Sequence, residues 1–209
     1  LTPGEINGSQ SICYGETPES FTSIVDAYAM GENVSYAWER STDDQVTWQA
    51  FENNSTTYAP GALTQTIYYR RVATSSTCDV PKKSNIITVQ VFGEVLGGEG
   101  EGNQELCLND TSAVPLSVNG ATNFGGEITY QWQFSQFNNP ETFVNASGEG
   151  RNKSEAEFTP DTSVPGTTFF RRITTVTNNG VSCSAISTPI KVSVIELNGG
   201  IISSSQDIC

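Results

Sequence analysis

The sequence contains no histidine and one methionine, and only 10 of its 209 residues are basic. Each shortage excludes something. Without histidine there is no Ser–His–Asp arrangement, no imidazole general base and no imidazole zinc ligand. Ten basic residues against 23 acidic ones leave a formal net charge of −13, which repels a phosphate backbone and excludes nucleic acid as a partner. No stretch reaches the ~18 consecutive apolar residues of a membrane-spanning helix, so membrane insertion is not expected. No glycine-rich turn follows a strand and opens a helix in the manner of a phosphate cradle. The acidic residues gather in turns and in the connector Gly97–Gly102 rather than in a converging pair, and no enzyme activity is expected.

What the chain does have is an internal repeat. Aligning Cys13, Cys107 and Cys209 brings three segments into register, each with Gly nine residues before Cys, Gln three before, and Ile or Leu one before. The cysteines are spaced 94 and 102 residues apart, the size of one β-sandwich domain. Tyr36-Ala37-Trp38 then matches Tyr130-Gln131-Trp132, and Tyr58-Ala59-Pro60 matches Phe158-Thr159-Pro160. Thr66–Val72 matches Thr167–Ile173, Cys78 matches Cys183, and Ile86–Val91 matches Pro189–Val194. The units expected are 1–94, 95–198 and 199–209, the last being the start of a third repeat. Leu1-Thr2-Pro3 reads as the tail of a preceding one.

Period-2 alternation dominates, which predicts strands near 8–13, 20–28, 34–41, 46–51, 65–75 and 85–92, separated by turn residues such as Pro60-Gly61. The fold class expected is all-β, with two immunoglobulin-like sandwich modules in tandem, arranged end to end, each holding one disulfide. Module two repeats the plan with insertions around Asn138–Asn152 and Asn178–Ser182, read as surface loops. Trp38 and Trp132 are the expected core anchors. Trp48 and its rough counterpart Phe143 read as edge or hairpin aromatics. In Tyr68-Tyr69-Arg70-Arg71 and Phe169-Phe170-Arg171-Arg172, alternation puts one arginine on the same face as each aromatic. Either the guanidinium stacks on a ring or it pairs with a carboxylate such as Glu39.

Five cysteines in a chain of small β modules indicate an oxidising compartment. Each repeat owns one early and one late cysteine, so Cys13–Cys78 and Cys107–Cys183 are the pairings expected, with Cys209 awaiting the rest of its module. No two cysteines have the short spacing of a zinc site, and no cofactor is expected. Calcium is the ion the acidic residues bring to mind, from Asp43-Asp44 and the connector acids at the inter-module junction. Module two, however, carries Asn138-Asn139 where module one has Asp43-Asp44, which suits a turn better than a metal.

The order Gln-x-Ile-Cys, Tyr-x-Trp, Tyr-x-Pro, Thr-x-Tyr-Tyr-Arg-Arg-Val, Cys and a closing Ile-Thr-Val-x-Val strand resembles the repeats of giant cell-surface adhesins of Bacteroidetes, the mobile adhesins of gliding bacteria among them. The resemblance implies a secreted filament on the bacterial cell surface, exported by the type IX system and serving attachment and gliding motility. The partners expected are an external surface or polysaccharide and the neighbouring repeats of the same chain. The competing reading is a carbohydrate-binding module or an accessory domain of a secreted glycan-degrading enzyme, using Trp48, Phe143 or the arginine faces. Specific binding is expected in the loops at 42–45 and 138–152, where the modules differ.

Overall fold

The structure, a computed structural model, describes residues 1–51, 54–76, 78–121, 124–147, 150–151 and 154–200, apart from the side chains of Cys78, Asp79 and Arg151. Residues 201–209, with Cys209, which belong to the segment 199–209 expected to begin a third repeat, lie outside the described residues. The chain divides into two compact units, Leu1–Glu94 with Thr177–Cys183, and Val95–Val176 with Ser184–Cys209.

The first repeat holds β1 (Glu5–Asn7), β2 (Gln10–Ile12), β3 (Thr22–Val25), β4 (Val34–Ser41), β5 (Gln49–Phe51), β6 (Ile67–Ser75), β7 (Cys78–Lys83) and β8 (Ile87–Val91). One sheet runs β2-β8-β6-β4-β5, with β7 also on β6, and β1 pairs with β3 in the other layer. Strand β2 lies parallel to β8, and the remaining pairings are antiparallel. The second repeat holds β9 (Glu99–Glu101), β10 (Gln104–Cys107), β11 (Ser117–Asn119), β12 (Glu127–Ser135), a short 3₁₀ turn (Pro140–Thr142), β13 (Val144–Asn145), β14 (Gly150–Arg151), β15 (Thr159–Pro160), β16 (Gly166–Asn178), β17 (Val181–Ile186) and β18 (Ile190–Ile195). Its large sheet, β10-β18-β16-β12-β13 with β17 on β16, has the same order, while β9 pairs with β11.

Alternation explains the cores. Trp38 and Trp132 are both 0% exposed, and each indole Nε1 donates to a carbonyl, of Ser55 at 3.1 Å and of Glu155 at 3.0 Å. The ring is buried without leaving its polar atom unsatisfied. Phe21, Ile67, Tyr69, Ile87 and Val89 pack with Trp38, and Leu116, Phe158, Phe170, Ile190 and Val192 with Trp132. Burial pushes the Tyr69 phenol up to about 12.

The signature residues before each early cysteine close the sandwich. Gln10 Nε2 donates to the carbonyls of Gly8 and Glu19, while its Oε1 accepts from the Glu19 amide. Gln104 does the same with Gly102 and Val114. The amide side chain thus ties strand β2 or β10 to the segment that leads into the other layer. Gly4 and Gly98 sit at φ +71° and +78°, where a Cβ would meet the Val25 carbonyl at 2.4 Å and the Asn119 carbonyl at 2.5 Å. No other residue fits both the conformation and the space.

Three segments differ from the expectation, the first being 138–152, which holds the 3₁₀ turn and the short strands β13 and β14 rather than a plain surface loop. Cys78–Lys83, which holds Asp79 and Pro81 and carries no strand pattern, forms β7 beside β6. Proline is tolerated there because, among the described residues, β7 pairs only on one side. The insertion at Asn178–Ser182 forms a hairpin tip rather than a loop. Strands β16 and β17 run up to a two-residue turn, Asn179-Gly180, with φ of 49° and 80°. Both values are positive, as a primed hairpin turn requires.

Candidate functional site

Cys13 is bonded to Cys183, with their Cα atoms 5.7 Å apart. This corrects the expected pairings Cys13–Cys78 and Cys107–Cys183, and with them the expectation of one disulfide inside each module. Strand register gives the physical reason. Ile12 pairs with Val91, and Val89 pairs with Ile67, so Cys13 stands just beyond the start of β6. Cys78 pairs with Ser75 at the other end of that strand. Roughly ten residues of strand, ~30 Å, separate the two levels, whereas a disulfide spans Cα atoms only about 4.4–6.8 Å apart. The second repeat has the same polarity. Cys107 pairs with Ile195 near the Gly166 end of β16, while Cys183 lies near the Asn178 end, where Thr177 Oγ1 meets Ser182 Oγ at 2.9 Å. Cys107 is exposed and its thiol is free. The side chain of Cys78 lies outside the described residues.

The arginine pairs divide between the two faces of each sheet. Arg71, 0% exposed, lies over the Tyr36 ring at 4.7 Å and donates to Ser23 Oγ and to the carbonyls of Thr56 and Val25. Arg172, 4% exposed, lies over Tyr130 at 4.5 Å and donates to the Ala156 carbonyl. Desolvation lowers the proton affinity of both guanidinium groups, partly offset by the neighbouring tyrosines. They stay charged, because arginine is not deprotonated in proteins. The Tyr-x-Trp motif is therefore a packing device, in which the tryptophan fills the core and the tyrosine, two residues away on the same face, seats a buried cation.

The first arginine of each pair points outward. Arg70 lies 3.7 Å over Trp48 and its Nε donates to Glu39, so both options open in the sequence are realised at once. Arg171 lies 4.1 Å over Phe143 and donates to Gln133 Oε1. Trp48 and Phe143 correspond as expected. Each already carries a guanidinium on one face, and Phe143 is buried. This leaves a poor platform for stacking on a sugar ring.

The β4–β5 turn is held by Ser41, whose Oγ donates to Asp43 Oδ1 and accepts from the Gln45 amide. Asp43 also accepts from the amide and hydroxyl of Thr47, and these hydrogen bonds hold its carboxyl down to about 2. Asp44 accepts from the Tyr68 hydroxyl at 2.8 Å. In module two Ser135 takes the place of Ser41, bonded to Thr142 Oγ1 and the Phe137 amide. The acids at 43–44 are therefore spent on the turn. Glu99 and Glu101 belong to strand β9, and they accept from Thr188 Oγ1 and Asn119 Nδ2. Among the described residues no cluster of three or more His, Cys, Asp or Glu is placed to hold a metal.

The second unit also has an open cleft of about 820 Å³ at the end of its sandwich, lined by Phe134, Phe137, Val164, Pro165, Val192 and Val194 among others. Val194 pairs with Leu106 and Ile195 with Cys107, so the cleft opens at the same end of the sheet as the free thiol. No sequence signal marks this cleft, because it is formed by strand ends that come together only in the fold. Among the described residues no helix is long and apolar enough to cross a membrane.

Among solved structures, the three N-terminal domains of the bacteriophage RB49 Highly Immunogenic Outer Capsid protein (Hoc) are 9% identical, over 93% of this chain and 69% of that one, with a TM-score of 0.54. Murine CEACAM1b is 13% identical over 91% of this chain and 100% of its own, with a TM-score of 0.37. Immunoglobulin domains 1–4 of Sidekick-1 are 15% identical over 96% of this chain and 48% of theirs, with a TM-score of 0.34. At 9% identity the likeness to the Hoc domains shows the fold alone, an all-β chain of tandem sandwich modules. No curated protein matches the sequence. One family model matches twice, over residues 2–92 and 96–196. The chain belongs to this family, DUF8696, a domain of unknown function.

Proposed function

We propose that this chain is a segment of a longer tandem array carried on a bacterial cell surface, where the modules act as a structural stalk and adhesive surface. The observation that carries the reading is the Cys13–Cys183 bond, which joins the early cysteine of one repeat to the late cysteine of the next. A bond of that kind suits a load-bearing chain and an oxidising compartment. Stability in such an array is summed repeat by repeat, and a covalent tie between repeats keeps a pulled module from being lost. The acidic, lysine-poor surface keeps neighbouring filaments apart. Export through the type IX system, with a role in attachment and gliding, is the finer form of the proposal and rests on the order of motifs along the repeat.

The test is to raise antibodies against the chain and apply them to intact cells of the source organism. Labelling of unpermeabilised cells that disappears after brief external protease treatment supports the reading, as does loss of surface attachment on deleting the gene. Labelling only after permeabilisation contradicts it.

A further inference from the structure

We propose that Cys107 and the cleft at its end of the second sandwich receive the late-cysteine hairpin of a following repeat, so that every early cysteine in the array is bonded to the late cysteine one repeat further on. The proposal rests on the reading that the repeats continue, and not on adhesion.

The first repeat displays the completed arrangement. Its early cysteine, Cys13, is bonded to Cys183, and the hairpin tip Thr177–Cys183 is part of the same compact unit as Leu1–Glu94. Cys107 is the counterpart of Cys13 by every local measure. Each stands at the end of a short strand parallel to the last strand of its sheet, Cys13 just after β2 and Cys107 as the last residue of β10, in registers Ile12↔Val91 and Leu106↔Val194. Each strand begins with a glutamine that makes the same amide bracket. The bond differs, since Cys107 is an exposed free thiol. At the same end of the sheet stands an open cleft, lined by polar and apolar groups alike, in which Phe137 and Val164 are 66% and 70% exposed. Apolar side chains that exposed, rimmed by Gln136 and Asp161, mark an interaction surface. The bond polarity derived above excludes a partner within the same repeat, because the early and late cysteines occupy opposite ends of the sheet. The occupant must therefore bring a cysteine on a projecting hairpin, and the repeat itself supplies one. The turn Asn179-Gly180 lets β16 and β17 extend to Cys183, and Cys78 holds the equivalent place on β7.

Bond formation is a two-electron oxidation. With oxidised glutathione as oxidant, the Cys107 thiolate attacks its disulfide and releases one glutathione thiol. The thiolate of the late cysteine then displaces the second. One S–S bond breaks, one forms, and the two protein protons end on the two glutathione thiols.

The experiment fuses residues 1–199 to a second copy beginning at residue 4, which places the first-repeat cysteine Cys78 where a third repeat would carry its late cysteine. After oxidation with glutathione, alkylation and non-reducing digestion, mass spectrometry should find Cys107 of the first copy linked to Cys78 of the second. Alkylation of that Cys107, complete in the single chain, should be lost. In the fusion with Cys107→Ser in the first copy, alkylation should return to Cys78 of the second copy while Cys13–Cys183 persists in both. Cys107 that stays alkylatable while both Cys13–Cys183 bonds form overturns the proposal and leaves the surface reading intact. If the fusion aggregates, the single chain oxidised at high concentration gives the same answer: a dimer linked through Cys107 and Cys78 supports the proposal, and a dimer linked otherwise overturns it.

Discussion

Cys13 and Cys183 are bonded across 170 residues of sequence, while Cys78, the other cysteine of the first repeat, stands at the opposite end of the sheet from Cys13. The polarity follows from the fold. An early strand that runs parallel to the last strand ends at one end of the sandwich, and the hairpin of the Arg-Arg strand turns at the other. Any chain with this strand order must look outside the repeat to pair its early cysteine.

Removing that bond should be costly. In the chain-entropy model, closing a loop of this length contributes about 5 kcal/mol, and measured values for native bridges run about 2–5 kcal/mol. Cys13→Ser should therefore lower the unfolding free energy measured in urea by an amount in that range and open Cys183 to alkylation. Cys78→Ser should leave the midpoint unchanged. Equal losses from the two variants would restore a bond within the repeat.

The two arginines of the first repeat should respond differently to truncation. Arg71→Ala removes the buried donor of the Thr56 and Val25 carbonyls and of Ser23 Oγ, which costs about 3 kcal/mol or more. Arg71→Lys should recover little, since one ammonium cannot reach both carbonyls and lie flat on Tyr36. Arg70→Ala, at the sheet surface, should cost about 1 kcal/mol. Urea unfolding followed by tryptophan fluorescence separates them, and similar losses for Arg70 and Arg71 would contradict the assignment of faces.

Asp43 carries a pH dependence of definite sign. Its folded value, about 2, lies below the ordinary 3.8, so its contribution is present above pH 3.8 and is lost as pH falls toward 2. Asp43→Asn should flatten that part of the urea midpoint against pH. A carboxyl resonance of Asp43 that titrates near 3.8 in the folded protein would contradict the turn network.

Gly4 and Gly15 share a positive φ, +71° and +80°, but a Cβ on Gly15 meets nothing within 4 Å. Gly15→Ala should therefore cost only the backbone strain, about 1–2 kcal/mol. Gly4→Ala adds a clash with the Val25 carbonyl and should cost measurably more. Equal thermal shifts for the two variants would mean that space around Gly4 is not the constraint.

Much of this fold was legible from periodicity. The strand expected at 34–41 is β4 residue for residue, and the expected anchors Trp38 and Trp132 are the centres of the two cores. The repeat also exposed the signature glutamine, although its role as a bracket depends on carbonyls ten residues away. What escaped was whatever depends on direction. Alternation places Arg70 and Arg71 on opposite faces without saying which is inside, because Tyr68 and Tyr69 are equally apolar. Counting one early and one late cysteine per repeat suggests a bond within it, since spacing carries no record of which end of a sheet each reaches. The Asn179-Gly180 pair is a readable hairpin signal inside a segment whose added length otherwise suggests a loop.

The most direct test is the disulfide map of the chain itself, alkylated under native conditions and digested without reduction. The structure requires a linked pair of peptides containing Cys13 and Cys183, with Cys107 recovered in alkylated form. Linked peptides joining Cys13 to Cys78 and Cys107 to Cys183 would contradict the polarity of the repeat and everything built on it.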